Sequence, residues 1–473
     1  MATQTKKSSF SGSLGFVLAA AGSAVGLGNL WRFPTLANKY GGGLFLVVYL
    51  ILVLTFGFSL LVTDIAIGRK TGKSSLDAFK LVHPKWGFLG KLTFIVPSII
   101  ITYYLVIGGW ILKYMVSMVV EFTATSQSDY FENFITSTSS PIFWMLIFLS
   151  VTSFVVYCGV EKGIEKFSKY VMPALFLLVV AIAVFVLFSK DGETGRTGLQ
   201  GFLVYIKPNL NDLKTNGSID LAKIMNLLLD AMSQLFFSLS VAMGIMITYG
   251  SYVKKDIDLN KSVKQIEIFD TMVAFLAGMI VIPAVYTFSS LGDIAKAGPG
   301  VIFKALPTVF SQMGFAGKII GPVFFIMVAF AALTSSVSIM EAIVGASTET
   351  FKISRKKASL IIAALGAAAA VVVCLGYNVL KFGITLPTGA TGQNLLDVLD
   401  YISNNLLMPT LSLLTCVLIG WVVKPKWVIN EIESNGHSFK RKTLYTVMIK
   451  YVAPILMFLL LLQSIGVFNF LSK

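Results

Sequence analysis

The chain has 473 residues, of which 56% are hydrophobic and 13% are charged. Soluble proteins carry about 25% charged residues, so this composition argues against a soluble enzyme and indicates an integral membrane protein. The three cysteines, Cys158, Cys374 and Cys416, lie in apolar stretches, and the two histidines lie in polar ones. The sequence therefore predicts neither a disulfide framework nor a zinc site.

Charge-free runs of roughly 20 residues or more mark candidate membrane spans, because charged side chains cost several kcal/mol at the centre of a bilayer. Eleven such runs occur, which predicts an all-α integral membrane protein with eleven transmembrane helices in a single domain, residues 1–473. The runs cover residues 8–31, 40–63, 92–112, 133–160, 170–189, 231–253, 271–292, 319–340, 358–380, 401–423 and 451–472.

Lys and Arg are distributed unevenly between the runs. With the N-terminus in the cytoplasm, the cytoplasmic segments hold 25 of the 38 basic residues, whereas the acidic residues divide almost evenly. The positive-inside rule therefore predicts a cytoplasmic N-terminus and an extracellular C-terminus. The formal charge of +15 is then largely a cytoplasmic surface that faces anionic lipid, which disfavours nucleic-acid binding. The first run is too long for a signal peptide, so we expect it to be retained.

Two runs contain clusters that disfavour a continuous helix. The first run holds three glycines and an asparagine between Gly22 and Asn29, followed by the sequence WRFP at residues 31–34. The sixth run holds a polar cluster from Ser233 to Ser240, with Gly244 beyond it. Backbone opened at these points has to line protein or a cavity. For the first cluster, a closely packed helix face is the alternative.

The two clusters stand at matching places if five helices form one unit. An odd number of crossings inverts the second unit relative to the first, and paired broken helices in an inverted repeat indicate a transporter site. We predict a 5+5 repeat over about residues 8–189 and 222–424, with helices 1 and 6 unwound at their midpoints, and one extra helix over about 445–472. Opened carbonyls, hydroxyls and amides are ligands that a hard cation accepts, and opened helix N-termini suit a carboxylate.

Seven motifs lie in order on the predicted spans and give the sequence a specific resemblance to the neurotransmitter:sodium symporter family, in its bacterial amino-acid branch. They are GSAVGLGNLWRFP (22–34), YGGGLF (40–45), ITYYLVIGGW (101–110), GIEKFSKYVMP (163–173), SQLFFSLSVAMG (233–244), ITYGSY (247–252) and FAALTSSVSIMEA (330–342). The resemblance implies a leucine-transporter-type fold in the plasma membrane, the inner membrane of a bacterium. It implies no enzyme, but a sodium-coupled secondary active symporter of hydrophobic L-amino acids, aliphatic to aromatic, that works by alternating access.

The resemblance also implies two Na⁺ sites. The first would be formed by the substrate carboxylate with groups of Ala24, Asn29, Ser238 and Asp270. The second would be formed by the carbonyls of Gly22, Val25 and Ala331 and the hydroxyls of Thr334 and Ser335.

A substrate site follows from the same resemblance. The substrate carboxylate would meet Tyr104 and the backbone around Leu27 and Gly28, and its amino group would meet carbonyls near Ala24, Phe237 and Ser240, with Ser238 adjacent. The side-chain wall would be Ile100, Phe237, Met243, Ser335 and Ile339. That wall is apolar, so an apolar substrate is expected. Ala242, where glycine is frequent in this motif, favours Leu, Ile, Val or Met.

Asp270 departs from the family pattern, which usually has Asn at this position. Ala274 stands where some chloride-independent members carry a carboxylate, and Tyr49, Gln234 and Ser238 match other positions around the chloride site of chloride-dependent relatives. We hypothesise that Asp270 supplies the negative charge that chloride supplies elsewhere. The alternative is that Asp270 is a helix-start residue at the cytoplasmic side. A second departure is the number of spans, because the family typically has twelve and eleven are predicted here. The sequence therefore does not decide whether a dimer contact through the last helix exists.

Two charge pairs match the family's gates. Arg32 and Asp400, with Asp397 one turn earlier, would close the outer side above an aromatic lid of Tyr104 and Phe237. At the inner side, Lys7 and Glu349 occupy the gate positions, with an aromatic residue, Phe10, beside Ser251 and Tyr252. Lysine in place of arginine gives a point charge instead of a bidentate fork, so we expect a weaker inner latch.

Three rival functions remain. A proton-coupled amino-acid permease of related fold would use Asp270 as the proton carrier. A polytopic membrane enzyme is disfavoured, because we find neither a histidine cluster nor two carboxylates within the predicted spans. A channel is compatible with interrupted helices. However, charge pairs at both ends of one pathway favour a transporter whose outer and inner gates open alternately.

Overall fold

The protein is a bundle of membrane-length helices, seen here in a computed structural model that describes residues 9–215, 217–292 and 300–468. In these ranges nine helices are long and apolar enough to cross a membrane, and the bent pair Ser13–Ala24 and Gly28–Lys39 makes a tenth crossing. The remaining predicted crossing, the sixth in chain order, corresponds to two helices, Leu221–Leu239 and Ile245–Ser251. The predicted all-α membrane fold is therefore confirmed.

We number the crossings in chain order, as span 1 to span 11. They are Ser13–Ala24 with Gly28–Lys39, Gly43–Thr71, Pro84–Val120, Ser139–Tyr157, Val160–Leu187, Leu221–Leu239 with Ile245–Ser251, Leu259–Phe288, Phe315–Phe351, Arg355–Leu375, Leu395–Val422 and Lys442–Ser464.

Shorter elements connect the spans. In the described ranges, five short α-helices lie between them, and a two-stranded antiparallel ladder pairs Lys214 with Ile219 and Thr215 with Ser218. The helices are Ser75–Val82, Tyr130–Thr136, Gly198–Ile206, Leu306–Gln312 and Lys426–Ile432.

The helices extend beyond the charge-free runs, so several acidic residues that border the runs lie inside the bundle. Asp64, Glu267 and Glu341 are all buried within spans 2, 7 and 8. The expectation of no two carboxylates within the spans is therefore wrong. Each of these groups has a polar neighbour, as when Tyr252 and Arg355 donate hydrogen bonds to Glu341 at 2.8 and 3.0 Å.

Span 1 is interrupted within the predicted glycine cluster, between Gly22 and Asn29. The first half ends at Ala24, Val25 has an extended ψ of 98°, and the second half begins at Gly28 after a bend of 53°. The WRFP segment does not open the helix. Pro34 lies just after the π-helical turn Gly28–Arg32, and the helix continues through it to Lys39.

Span 6 is interrupted after its polar cluster. The residues from Ser233 to Leu239 are helical, and the chain unwinds over residues 240–244. Ser240, Ala242 and Gly244 have φ values of 52°, 58° and 73°, which lie in the left-handed region. This conformation costs a side-chain-bearing residue about 1–2 kcal/mol, so neighbouring contacts have to stabilise the segment.

Spans 2 and 6 approach each other backbone to backbone below the interruption. A Cβ atom on Gly68 would lie 1.8 Å from the carbonyl oxygen of Ile247, and one on Gly250 would lie 2.3 Å from that of Ile65. Small residues permit such contacts, which supply packing energy between helices in a membrane.

We predict that Gly68→Ala lowers the free energy of unfolding by about 1–3 kcal/mol, because a helix backbone cannot move aside as a side chain can. Thermal unfolding of the purified protein in detergent measures the change. Gly366→Ala is the matched control, since its added Cβ would meet only the Leu105 side chain at 3.5 Å. Equal melting temperatures for the two variants would contradict the close contact.

Candidate substrate and sodium site

The interrupted parts of spans 1 and 6 face each other in the middle of the bundle. The Ser240 hydroxyl donates to the carbonyl oxygen of Ser23 at 3.0 Å, and the Ser23 hydroxyl donates to the Ser240 Oγ at 3.1 Å. The last carbonyls of a helix have no partner within that helix. These serines therefore join two sets of backbone groups that a continuous helix would have paired internally.

Asp64 of span 2 holds the unwound part of span 6. The backbone N–H of Ala242 donates to its Oδ2 at 3.0 Å, and Asp64 is 6% exposed. A carboxylate is a strong acceptor for an N–H that lacks a helical partner. Sequence reasoning missed this residue because Asp64 directly follows the second charge-free run and was counted as its boundary. Its proximity to an apolar run was the one available signal.

A small cavity of about 20 Å³ lies between the two interruptions. This volume corresponds to room for about one water molecule, so an amino acid can enter only if side chains move. Among the described residues, the Tyr104 hydroxyl is buried and has no hydrogen-bond partner. Seven residues predicted for the substrate site line the cavity together with Ser23 and Gly26: Ile100, Tyr104, Phe237, Ser240, Met243, Ser335 and Ile339.

Neutral oxygens converge on one side of the span 1 interruption. The Ser335 Oγ lies 3.5, 3.2 and 3.4 Å from the carbonyl oxygens of Gly22, Ser23 and Val25. The Thr334 Oγ1 lies 3.0 Å from the carbonyl oxygen of Ala331. Ser335 therefore joins span 8 to the carbonyls of Gly22 and Val25, whereas the bond from Thr334 to Ala331 lies within span 8. A Cβ atom on Gly22 would lie 3.2 Å from the Cβ of Thr334, so the two groups of oxygens are adjacent.

A carboxylate lies on the other side of the interruption. Asp270 is fully buried within span 7, so the alternative of a helix-start residue is wrong. Its Oδ1 accepts hydrogen bonds from the Asn29 amide and the Ser238 hydroxyl, both at 2.7 Å. Its Oδ2 is buried without a hydrogen-bond partner among the described residues. A bare carboxylate oxygen in a dry interior is costly unless a cation or a donor reaches it.

Of the residues predicted around a chloride position, Ser238 contacts the Asp270 carboxylate, Tyr49 contacts Ser238, and Gln234 contacts span 1. The Tyr49 hydroxyl donates to the Ser238 Oγ at 3.4 Å, and the Gln234 amide donates to the Gly28 carbonyl oxygen at 3.1 Å. Ala274 is buried one helical turn from Asp270. Ala24 and Leu27 are buried at the edges of the span 1 interruption.

Transition-metal ligands are not assembled in the described part of the chain. It contains no group of three or more His, Cys, Asp or Glu residues that could hold a metal ion. The oxygens around span 1 are mostly neutral, with a single carboxylate. Such a ligand set suits a hard monovalent cation better than a multivalent one.

A second cavity of about 310 Å³ lies above the first, and Phe237 lines both. Arg32 and Asp400 line this vestibule, but they form no ion pair within the described contacts. Arg32 donates to the Ser233 hydroxyl at 2.7 Å, and Asp400 accepts from the Asn404 amide at 2.6 Å. The two predicted outer-gate charges therefore share an open vestibule in this conformation.

Asp397, predicted beside the outer gate, has a local structural role. Its carboxylate accepts the backbone N–H of Asn394 at 3.1 Å, and its own N–H donates to the Asn394 side chain at 3.2 Å. This reciprocal pair is a capping box at the start of span 10.

The opposite end of the pathway is closed by packed aromatic rings. Phe10 is buried, with ring centroids 5.6 Å from Tyr249 and 6.2 Å from Tyr252, and its N–H donates to the Tyr252 carbonyl oxygen at 3.1 Å. Ser251 is buried beside them. Glu349 accepts hydrogen bonds from the backbone and hydroxyl of Ser74 at 2.8 and 2.9 Å. Its predicted partner, Lys7, lies outside the described residues.

Comparisons with known proteins agree with this architecture. The chain is 31% identical over 476 residues to the sodium-dependent transporter YhdH of Bacillus subtilis, covering 99% of this chain and all of that protein. It is 26% identical to the rat sodium- and chloride-dependent GABA transporter 2 over 391 residues, or 72% of this chain and 62% of that protein. The crystal structure of MhsT in complex with L-phenylalanine matches with a TM-score of 0.83 and 31% identity, covering 97% of this chain and all of that one.

The model of the sodium:neurotransmitter symporter family matches residues 7–133 and 125–472, nearly the whole length. Relatives over the full chain are sodium-dependent transporters. The helices that these matches span form the multi-pass membrane bundle described above. The chain therefore belongs to the sodium:neurotransmitter symporter family.

Proposed function

We propose that this protein is a symporter that couples the entry of a hydrophobic L-amino acid to two Na⁺ ions by alternating access, without a requirement for chloride. The observation that carries the proposal is the pair of interruptions in spans 1 and 6, which face a shared cavity with an apolar wall. On both sides of the span 1 interruption, backbone and side-chain oxygens lie close together.

The oxygens support binding of Na⁺ at two places. Between spans 1 and 8, the ligands are neutral carbonyls and the hydroxyls of Thr334 and Ser335. Between spans 1 and 7, the ligand set includes the Asp270 carboxylate with its unpaired Oδ2. A cation between spans 1 and 7 would also lie beside the carboxylate of a substrate in the cavity. One ligand then completes the site of the other, which makes the coupling reciprocal.

The cavity wall supports an apolar amino acid as the substrate. Ile100, Met243 and Ile339 present only hydrocarbon and thioether groups, and the buried Tyr104 hydroxyl is free to donate to a carboxylate. The crystal structure of MhsT, to which this chain is similar, holds L-phenylalanine, an amino acid of the same class. Methionine is flexible, so Met243 supports a range from aliphatic to aromatic side chains.

The unequal ends of the pathway support alternating access. The vestibule beyond Phe237 is open and holds Arg32 and Asp400 apart, whereas Phe10, Tyr249 and Tyr252 fill the opposite end. In the predicted orientation this is an outward-facing conformation. Movement of Phe237 would admit the substrate, and approach of Arg32 to Asp400 would then close the outer side.

We expect purified protein in proteoliposomes to accumulate labelled leucine and phenylalanine with an inward Na⁺ gradient and not with choline or K⁺ in place of Na⁺. The reason is that the substrate carboxylate needs a cation beside it in a dry cavity. Uptake counting measures this. Accumulation driven by a pH gradient in choline would instead favour the proton-coupled permease, with Asp270 as the carrier.

Ser335→Ala removes one oxygen from the cluster between spans 1 and 8, and we expect it to raise the half-saturating Na⁺ concentration about tenfold. Binding of labelled leucine at a series of Na⁺ concentrations measures the shift. The neighbouring variant Ser336→Ala is the matched control, because the Ser336 hydroxyl faces Thr152 of span 4 at 3.1 Å. The assignment fails if both variants, or neither, change the Na⁺ dependence.

Replacement of chloride by gluconate should leave leucine uptake unchanged, because Asp270 holds a fixed negative charge at the site. Asp270→Asn should lower uptake in gluconate at least about tenfold, with partial recovery in chloride. Glu267→Gln, a buried carboxyl group on the same span, should remain insensitive to chloride. A collapse of wild-type uptake in gluconate would refute the role given to Asp270.

A further inference from the structure

A groove separate from the substrate pathway lies where spans 3, 8 and 9 meet. Its volume is about 370 Å³, and its walls are almost wholly apolar. Phe94 and Ile101 belong to span 3, Ile343 to span 8, and Ile361 and Leu365 to span 9. Ile361 and Leu365 are 50% and 65% exposed in the isolated bundle, so the groove opens toward the space that lipid fills.

The groove lies behind the substrate cavity. Ile100 lines the cavity while its neighbour Ile101 lines the groove, and Ile339 lines the cavity while Ile343, one turn further along span 8, lines the groove. Two helices are therefore shared between the cavity and the groove. An occupant of the groove would contact the back of the substrate wall.

Three exposed lysines lie within one helical turn of groove residues at one end of the groove. Lys91 precedes Phe94 by one helical turn, Lys357 precedes Ile361 by one turn, and Lys352 follows the groove residue Phe351. All three lysines are exposed, and none forms an ion pair within the described ranges. This end of the bundle is the one predicted to be cytoplasmic.

Helix stability does not account for these charges. Span 9 begins with the sequence Arg355–Lys356–Lys357 and has no acidic residue in its first turn, although a helix N-terminus favours negative charge. Arg355 is engaged by Glu341 at 3.0 Å. Two nearby carboxylates, Asp77 and Glu349, accept hydrogen bonds from Thr350 and Ser74. The exposed lysines therefore remain available to an external anion.

We propose that this groove binds an anionic phospholipid, with an acyl chain between spans 3, 8 and 9 and its phosphate among Lys91, Lys352 and Lys357. An apolar slot capped by lysines at the level of the headgroups matches the two parts of such a lipid. A neutral lipid would leave the lysines without a partner. A second copy of the chain could fill the groove only with a surface that is both apolar and negatively charged.

The test uses the full-length protein in detergent, with dioleoyl phosphatidylglycerol or dioleoyl phosphatidylcholine added at equal concentration. Native mass spectrometry counts the bound lipids. We expect phosphatidylglycerol to bind at least about fivefold more tightly, because a lysine near an anionic headgroup contributes about that factor. The combined variant Lys91→Gln, Lys352→Gln and Lys357→Gln should bind both lipids equally. Ala369→Phe, which fills the groove, should weaken both.

A control variant separates this site from general surface charge. Lys261→Gln, Lys426→Gln and Lys440→Gln together remove three exposed lysines from the same predicted face, and they should preserve the preference for phosphatidylglycerol. An equal effect of the two triple variants would overturn the proposal, as would equal binding of the two lipids by the wild type. Glycerol 3-phosphate at millimolar concentration should not displace the lipid. Displacement would indicate a phosphate site without an acyl groove, and a dimer abolished by Ala369→Phe would indicate a second copy.

Discussion

The interruption of main-chain hydrogen bonding in spans 1 and 6 is the constraint on which the rest of the structure depends. A membrane offers no water to satisfy opened backbone groups, so protein groups have to do it. Asp64 accepts the N–H of Ala242, and Ser240 and Ser335 donate to carbonyls at the end of the first half of span 1. Two left-handed residues in span 6 add backbone strain that these contacts offset. The interruptions thus require spans 2 and 8 to lie where they do. The cavity between the interruptions is a consequence of that arrangement.

The buried acidic side chains of the bundle differ in the partners that neutralise their charge. Glu341 pairs with Arg355, and Arg69 donates to Glu431 at 2.8 Å, so these groups are structural. Asp270 differs from these two because its donors are neutral and its Oδ2 has no partner among the described residues. A buried carboxylate in that condition gains most from a mobile cation. Glu267 also has an unpartnered oxygen, but Arg441 lies 4.0 Å from its other one. Burial alone would not distinguish Asp270 from the paired acids Glu341 and Glu431, because all three are buried.

The sequence predicted the number of crossings and their order, because charged residues are costly throughout a span and long apolar runs leave little alternative. It predicted less well where the helices end, since buried carboxylates such as Asp64 and Glu267 have partners that lie far away in the chain. The interruption of span 6 lies after its polar cluster for a related reason. Residues 28–34 and 233–239 contain helix-weakening or polar side chains, but tertiary contacts keep them helical. The motif resemblance brought together Tyr104, Phe237 and Ser335 correctly around one cavity, whereas periodicity alone had no means of joining spans 3, 6 and 8.

The Asp270 carboxylate that would replace chloride also has to be stabilised in the empty protein, after Na⁺ and substrate have been released. With two Na⁺ ions, a zwitterionic substrate and an ionised Asp270, the loaded site carries one net positive charge, and after release it carries one negative charge. An uncompensated carboxylate is costly in a dry interior. Asn29 and Ser238 reduce that cost through two short hydrogen bonds, and Tyr49 reinforces Ser238. These donors come from spans 1, 6 and 2, so they hold the acid only while those helices remain close together. The need to solvate Asp270 therefore links the empty site to the packing of the interrupted helices, in the same way that cation and substrate link the loaded one.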